Sequence, residues 1–69
     1  MLKDYEIIFY WSEEDGCYIA NIEELEGCMA HGYTLQEAAQ EIEIAGKMWL
    51  DSTIENGEII PTPKHKKVA

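Results

Sequence analysis

The sequence has little positive charge. Five lysines and no arginine stand against fourteen acidic residues, for a formal charge of -9. Only Lys3 and Lys47 precede residue 61, while Lys64, Lys66 and Lys67 crowd the end. A body this acidic repels phosphate backbones, so direct nucleic-acid binding is not expected. Long apolar runs are also lacking. None approaches the roughly eighteen residues of a membrane span, and Met1-Leu2-Lys3-Asp4 leads straight into a strand pattern. Cysteine is scarce: Cys17 and Cys28, with no secretory leader before them, read as reduced thiols, and the expected location is cytoplasmic. Repeats and low-complexity tracts are missing too, so a single domain is expected over 1–63, with a basic, flexible tail over 64–69. A chain of 69 residues buries a small core and is marginal alone. A homodimer, homotetramer or obligate partner is the expected remedy.

What is present is a strand pattern that gives way to a helical one. Over 4–11, Tyr5, Ile7, Phe9 and Trp11 fall on one face and Glu6, Ile8 and Tyr10 on the other. Aromatic and β-branched residues suit a pleated surface, and the wholly apolar first face is expected to pack on the core. Residues 12–16 read as a hairpin turn, with Asp15-Gly16 supplying the positive-φ position. Residues 17–22 return as a second strand, and 28–33 make a short third. Thr34 and Glu37 have the spacing of a capping box. A helix is expected from there to about Glu55, with Leu35, Ala38, Ile42, Ala45, Trp49 and Thr53 facing inward. Asn56-Gly57 suits its C-terminal cap. Glu58-Ile59-Ile60 reads as a brief edge strand stopped by Pro61 and Pro63. The fold class is α+β: a three-stranded antiparallel sheet, one long helix packed on it, and a short fourth edge strand.

This ordered set resembles the HicB-like antitoxin family. The resemblance is carried by Ile8-Phe9-Tyr10-Trp11-Ser12-Glu13-Glu14-Asp15-Gly16-Cys17-Tyr18, by Glu24-Leu25-Glu26-Gly27-Cys28-Met29-Ala30-His31-Gly32, by Thr34-Leu35-Gln36-Glu37-Ala38, by Trp49-Leu50 and by Ile60-Pro61-Thr62-Pro63. It implies a β-β-β-α-β domain with a partial ribonuclease H-like fold. It also implies an antitoxin that binds a small basic HicA-type, mRNA-cleaving toxin and masks its active surface. The sequence departs from the resemblance in its loop, which in the family usually reads Pro-x-Leu-Pro-Gly-Cys and here has Glu23 and Glu26 near the proline positions. A C-terminal DNA-binding domain, common in the family, is not found in these residues, so operator binding by this chain is not expected. The alternative is an orphan dimeric domain of this fold that binds another protein or a small ligand.

Candidate chemistry is sparse. Glu13, Glu14 and Asp15 are three consecutive acids at a hairpin tip, which splay apart, whereas a metal-dependent nuclease needs carboxylates converging from separate elements. Cys28 and His31 lie three apart on a strand and so point to opposite faces, and with Cys17 they make only three ligands. No enzyme activity, cofactor or metal is therefore expected. The residues expected to meet a partner are Trp11, Glu13, Glu14, Asp15, Glu23, Glu24 and Glu26, since an acidic surface steers toward a basic protein.

Overall fold

A computed structural model of the chain describes residues 4–63. Three strands, β1 (Ile7–Ser12), β2 (Cys17–Ile22) and β3 (Met29–Gly32), form an antiparallel sheet in the order β1-β2-β3. One helix, α1 (Leu35–Glu55), follows and packs on one side of it. The α+β reading of the sequence is correct in these elements. Its fourth strand does not form: residues 58–63 carry no strand. Pro61 and Pro63 have no N–H to give to a ladder. The segment is held instead by a side chain, the Tyr5 hydroxyl donating to the Pro61 carbonyl at 2.6 Å. The tail expected over 64–69 lies outside the described residues.

Register decides which residues share a side. β1 pairs with β2 from Ile7↔Ile22 to Ser12↔Cys17, and β2 pairs with β3 from Tyr18↔Gly32 to Asn21↔Met29. Directly opposite residues point the same way. Ile7, Phe9, Trp11, Tyr18, Ala20, Ile22 and Ala30 therefore lie on the helix side. Ile8, Tyr10, Cys17, Ile19, Asn21, Met29 and His31 lie on the outer side. The core sits between β2, β3 and α1. Ile22, Leu25 and Ile42 are its fully buried large side chains, and Tyr5, Ala20, Cys28, Ala38 and Leu50 complete it.

The helix begins and ends where local chemistry dictates. The Glu37 amide donates to Thr34 Oγ1 at 3.1 Å, and the Glu37 carboxylate accepts from the Tyr33 amide at 3.0 Å. The capping box thus forms, with its return bond one residue earlier than its sequence pattern specifies. At the far end Gly57 N–H donates to the Ile54 carbonyl and Glu58 N–H to that of Thr53, both at 3.0 Å. With Gly57 at φ +74, this is a Schellman stop. Between sheet and helix, Gly32 is a steric necessity. A Cβ there would lie 2.5 Å from the Ala38 amide nitrogen and 2.7 Å from Glu37 Cβ.

One helix cannot cover three strands. Its width of about 10 Å spans roughly two strands at ~4.8 Å spacing. Here α1 packs on β3 and β2, leaving β1 almost bare. This corrects the expected burial of Phe9 and Trp11. Both lie on the helix side but beyond the helix, 39% and 50% exposed. Leu35, also expected inward, is exposed at the open end of α1, whereas Ala38, Ile42 and Thr53 are buried. Trp49 sits at the margin of the core, its indole N–H donated to the Glu26 carbonyl at 3.0 Å.

Two substitutions test this account by chemical denaturation. Leu25→Ala should cost ~2–5 kcal/mol through the cavity it leaves. Gly32→Ala should cost ~1–3 kcal/mol through overpacking against backbone that cannot move aside. A loss under ~0.5 kcal/mol for Gly32→Ala would mean that the helix start is not fixed by this contact.

Candidate partner-binding surface

The acid-rich hairpin tip is built from its two ends. Asp15 N–H donates to Ser12 Oγ at 3.2 Å, and Ser12 Oγ–H donates to Asp15 Oδ2 at 3.1 Å. Gly16 N–H closes the turn on the Ser12 carbonyl at 2.8 Å, with Gly16 at φ +65. Glu13 and Glu14 ride on this frame, exposed to solvent. Asp15 therefore shapes the turn as well as adding charge to it. Trp11 stands beside the tip on the helix side, edge-on to its cross-strand neighbour Tyr18 with ring centroids 5.0 Å apart.

The second acidic segment lies at the other end of β2, roughly 20 Å away at ~3.3 Å per residue. Its loop is a compact knot around Leu25, which has no exposed surface. Leu25 N–H donates to the Ile22 carbonyl at 3.1 Å, Cys28 N–H to that of Leu25 at 2.9 Å, and Ile22 N–H to that of Cys28 at 3.2 Å. Gly27, at φ +79, allows the chain to reverse. Glu24 faces inward: both its carboxylate oxygens accept from the Glu6 N–H, at 3.3 and 3.4 Å. Glu23 and Glu26 are exposed, and the Glu26 carbonyl holds Trp49. The seven residues singled out in the sequence thus divide into two clusters at opposite ends of the sheet, with Glu24 and Asp15 serving the fold.

Between these clusters lies a surface of which sequence reasoning caught only the β1 part, the apolar second face carrying Ile8 and Tyr10. The outer side of the sheet carries Ile8, Tyr10, Ile19 and Met29 with Cys17, Asn21 and His31, and no formal charge. Tyr10 and Met29 are about half exposed, and no described element covers them. The signal was available: β1 and β2 both fail to turn polar on their second faces. Beside this surface a cleft of about 380 Å³ is lined by Asp15, Cys17, Ile19, His31 and Tyr33. At the β3 edge another, of about 320 Å³, brings Glu37 and Glu41 alongside His31 and Ile44. Cys17 borders the outer side while Cys28 is in the core, where burial raises its thiol pKa. Both are free thiols. Among the described residues no three His, Cys, Asp or Glu side chains converge to hold a metal ion, and no helix is long and apolar enough to cross a membrane.

Comparison with known proteins agrees with this architecture. A family model described as the HicB-like antitoxin of bacterial toxin–antitoxin systems matches residues 5–68. The chain belongs to the HicB-like antitoxin family. It is 34% identical over 59 residues to the UPF0150 protein ssl0259 of Synechocystis, covering 86% of this chain and 80% of that protein. It is 32% identical over 56 residues to the UPF0150 protein Ta0767 of Thermoplasma acidophilum, covering 81% of each. For a HicB-like domain, the two glutamates in the loop carry a physical message. Glu23 and Glu26 put charge in water without loosening the loop, because Leu25 and the backbone bonds around it fix the shape.

The contact between the two ends of the domain sets a pH limit. The Tyr5 hydroxyl is held above the usual tyrosine value of 10.0 by burial first, then by the carboxylates of Glu24 and Asp4. Its neutral form is favoured in the folded state, so this contribution is intact below pH ~10 and is lost as pH rises through the raised value. Burial likewise holds the Cys28 thiol above its ordinary value of 9.0, so denaturation midpoints should begin to fall as pH approaches 9, and Tyr5→Phe should remove only the later part of the alkaline fall. Glu24→Gln should destabilise by about 1 kcal/mol through the weakened Glu6 amide bond, while Glu26→Gln stays within ~0.5 kcal/mol. Equal losses would dissolve the distinction between an inward and an outward carboxylate.

Proposed function

We propose that this HicB-like antitoxin neutralises a small basic ribonuclease of the HicA type by docking it on the outer side of the sheet and covering its RNA-binding surface. The observation that carries this reading is the arrangement of charge. An uncharged, partly apolar centre made by Ile8, Tyr10, Ile19 and Met29 is flanked by Glu13, Glu14 and Asp15 at one end and by Glu23 at the other. Protein interfaces have this anatomy, a centre depleted in charge within a polar rim. Of the fourteen acidic residues, all lie within 4–63, where Lys47 is the one lysine. A toxin that binds RNA must present positive charge, so the field that repels nucleic acid attracts the protein that cuts it.

The chain acts by binding rather than by catalysis, in the cytoplasm where mRNA is cut. The rim carboxylates raise the association rate, and the apolar centre holds the complex once formed. Mixing the chain with the small basic ribonuclease encoded beside it should give a complex and abolish RNA cleavage. Association should slow severalfold between 50 and 300 mM salt. Replacing Glu13 and Glu14 by Gln should lower the on-rate with little change in off-rate. Met29→Lys should raise the off-rate by tenfold or more. No complex at low salt, or binding indifferent to Met29→Lys, would remove the proposal.

A further inference from the structure

The outer side of the sheet is laid out in rows across the strands. Ile8 lies opposite Asn21 and Asn21 opposite Met29; Tyr10 lies opposite Ile19 and Ile19 opposite His31. The two rows are neighbours, and each crosses three strands, roughly 10 Å at ~4.8 Å spacing. His31 closes the second row, two residues from Met29 on the same strand and the same side. It is exposed, and it is the one histidine among the described residues. It also lines three clefts, of about 380, 320 and 300 Å³, one toward the hairpin turn and two toward α1. Asp15 faces it there from the turn, Cys17 from β2, Tyr33 from just past β3, and Glu37 and Glu41 from α1, while Tyr10 stands at the far end of its row. No lysine lines any of these clefts. An otherwise uncharged docking surface thus contains one side chain of the type whose charge ordinarily changes between pH 5 and 8.

We infer that docking on this surface is linked to a proton: the complex forms with a neutral His31 and loosens on acidification. The inference rests on the proposed docking of a basic protein on the outer side and concerns how that docking is regulated. Docking acts on an imidazolium at this position in three ways, all of one sign. It removes the water around the ring, which disfavours the charged form. It brings the partner's cations beside the ring, which disfavours it again. Those same cations engage Asp15, Glu37 and Glu41, the carboxylates that bound the clefts, and so take up the counter-charges within reach of the ring. The complex therefore holds fewer protons than its separate parts, and by linkage its affinity is present where the ring is neutral and is lost as pH falls. A permanent charge gives no such response. Lysine at position 31 would weaken docking at every pH, and glutamine would leave it without the proton. Acidification thereby frees the ribonuclease with no change in the amount of either protein.

Equilibrium binding of the full chain to the small basic ribonuclease encoded beside it, read at pH 8 and at pH 5, tests this. The Kd should rise by about tenfold or more between the two. His31→Gln should cut that ratio to the part owed to the ribonuclease's own groups. His31→Lys should bind at pH 8 about as weakly as the unchanged chain does at pH 5. Calorimetry at pH 6, in two buffers of different ionisation enthalpy, should register proton release on binding, and less of it with His31→Gln. The chain's other histidine, His65, supplies the control: His65→Gln should keep the ratio of the unchanged chain. Circular dichroism of the free chain should be the same at both pH values. A complex whose pH ratio is equal in the unchanged chain and in His31→Gln would overturn the inference and leave the docking in place. A ratio lost in His65→Gln would move the proton to residues 64–69 and overturn it as well. Unfolding of the free chain at pH 5 would do the same, since the loss would then be one of stability. No complex at pH 8 would remove the docking and this inference together.

Discussion

The width of one helix governs this domain. A single α1 buries one side of about two strands, and the third is left over. Which strand is left over follows from Gly32, where the first helical turn is seated against β3 so closely that no side chain fits. That seating commits α1 to β3 and β2. It closes the core around Ile22, Leu25 and Ile42, and it strands Phe9 and Trp11 outside it. The exposed aromatic edge is thus the geometric remainder of a fold with more sheet than helix.

Charge is distributed around this remainder. Acids occupy the hairpin tip, the exposed positions of the loop after β2 and the wet face of α1, while both sides of β1 and the outer side of the sheet are neutral. Under the proposed function this segregation separates two jobs: long-range attraction for carboxylates that need only be in water, and short-range contact for side chains that must be desolvated. Glu24 is the exception: its carboxylate is turned onto the Glu6 amide and contributes to the loop's shape. The same loop keeps its form with no proline in it, because the buried Leu25 and the backbone bonds around it fix its shape.

Much of this was legible in the residues. Thr34 and Glu37 announced the helix start, Asn56-Gly57 its end, and Asp15-Gly16 the hairpin, because caps and tight turns are local chemistry. Alternation told correctly that Phe9, Trp11 and Ile7 share a side. It was silent on whether anything would cover that side, since coverage depends on where a distant helix lands. The apolar run at Glu58-Ile59-Ile60 looked like a strand, yet two prolines and a tyrosine hydroxyl captured the segment instead. The acidic candidates were visible as residue types. The apolar second faces of β1 and β2 were visible too, but the separation of the acids by the length of β2, on either side of that surface, became visible only in three dimensions.

The hairpin tip has a consequence for variation. Ser12 and Asp15 hold the turn with their own side chains, and Gly16 closes it through backbone. Glu13 and Glu14 carry none of those bonds. Two adjacent, solvent-facing positions are thereby insulated from stability, so drift there is not checked by the need to fold. If the proposed docking holds, a lineage following a changing partner can rewrite these two codons first, leaving the scaffold as inherited.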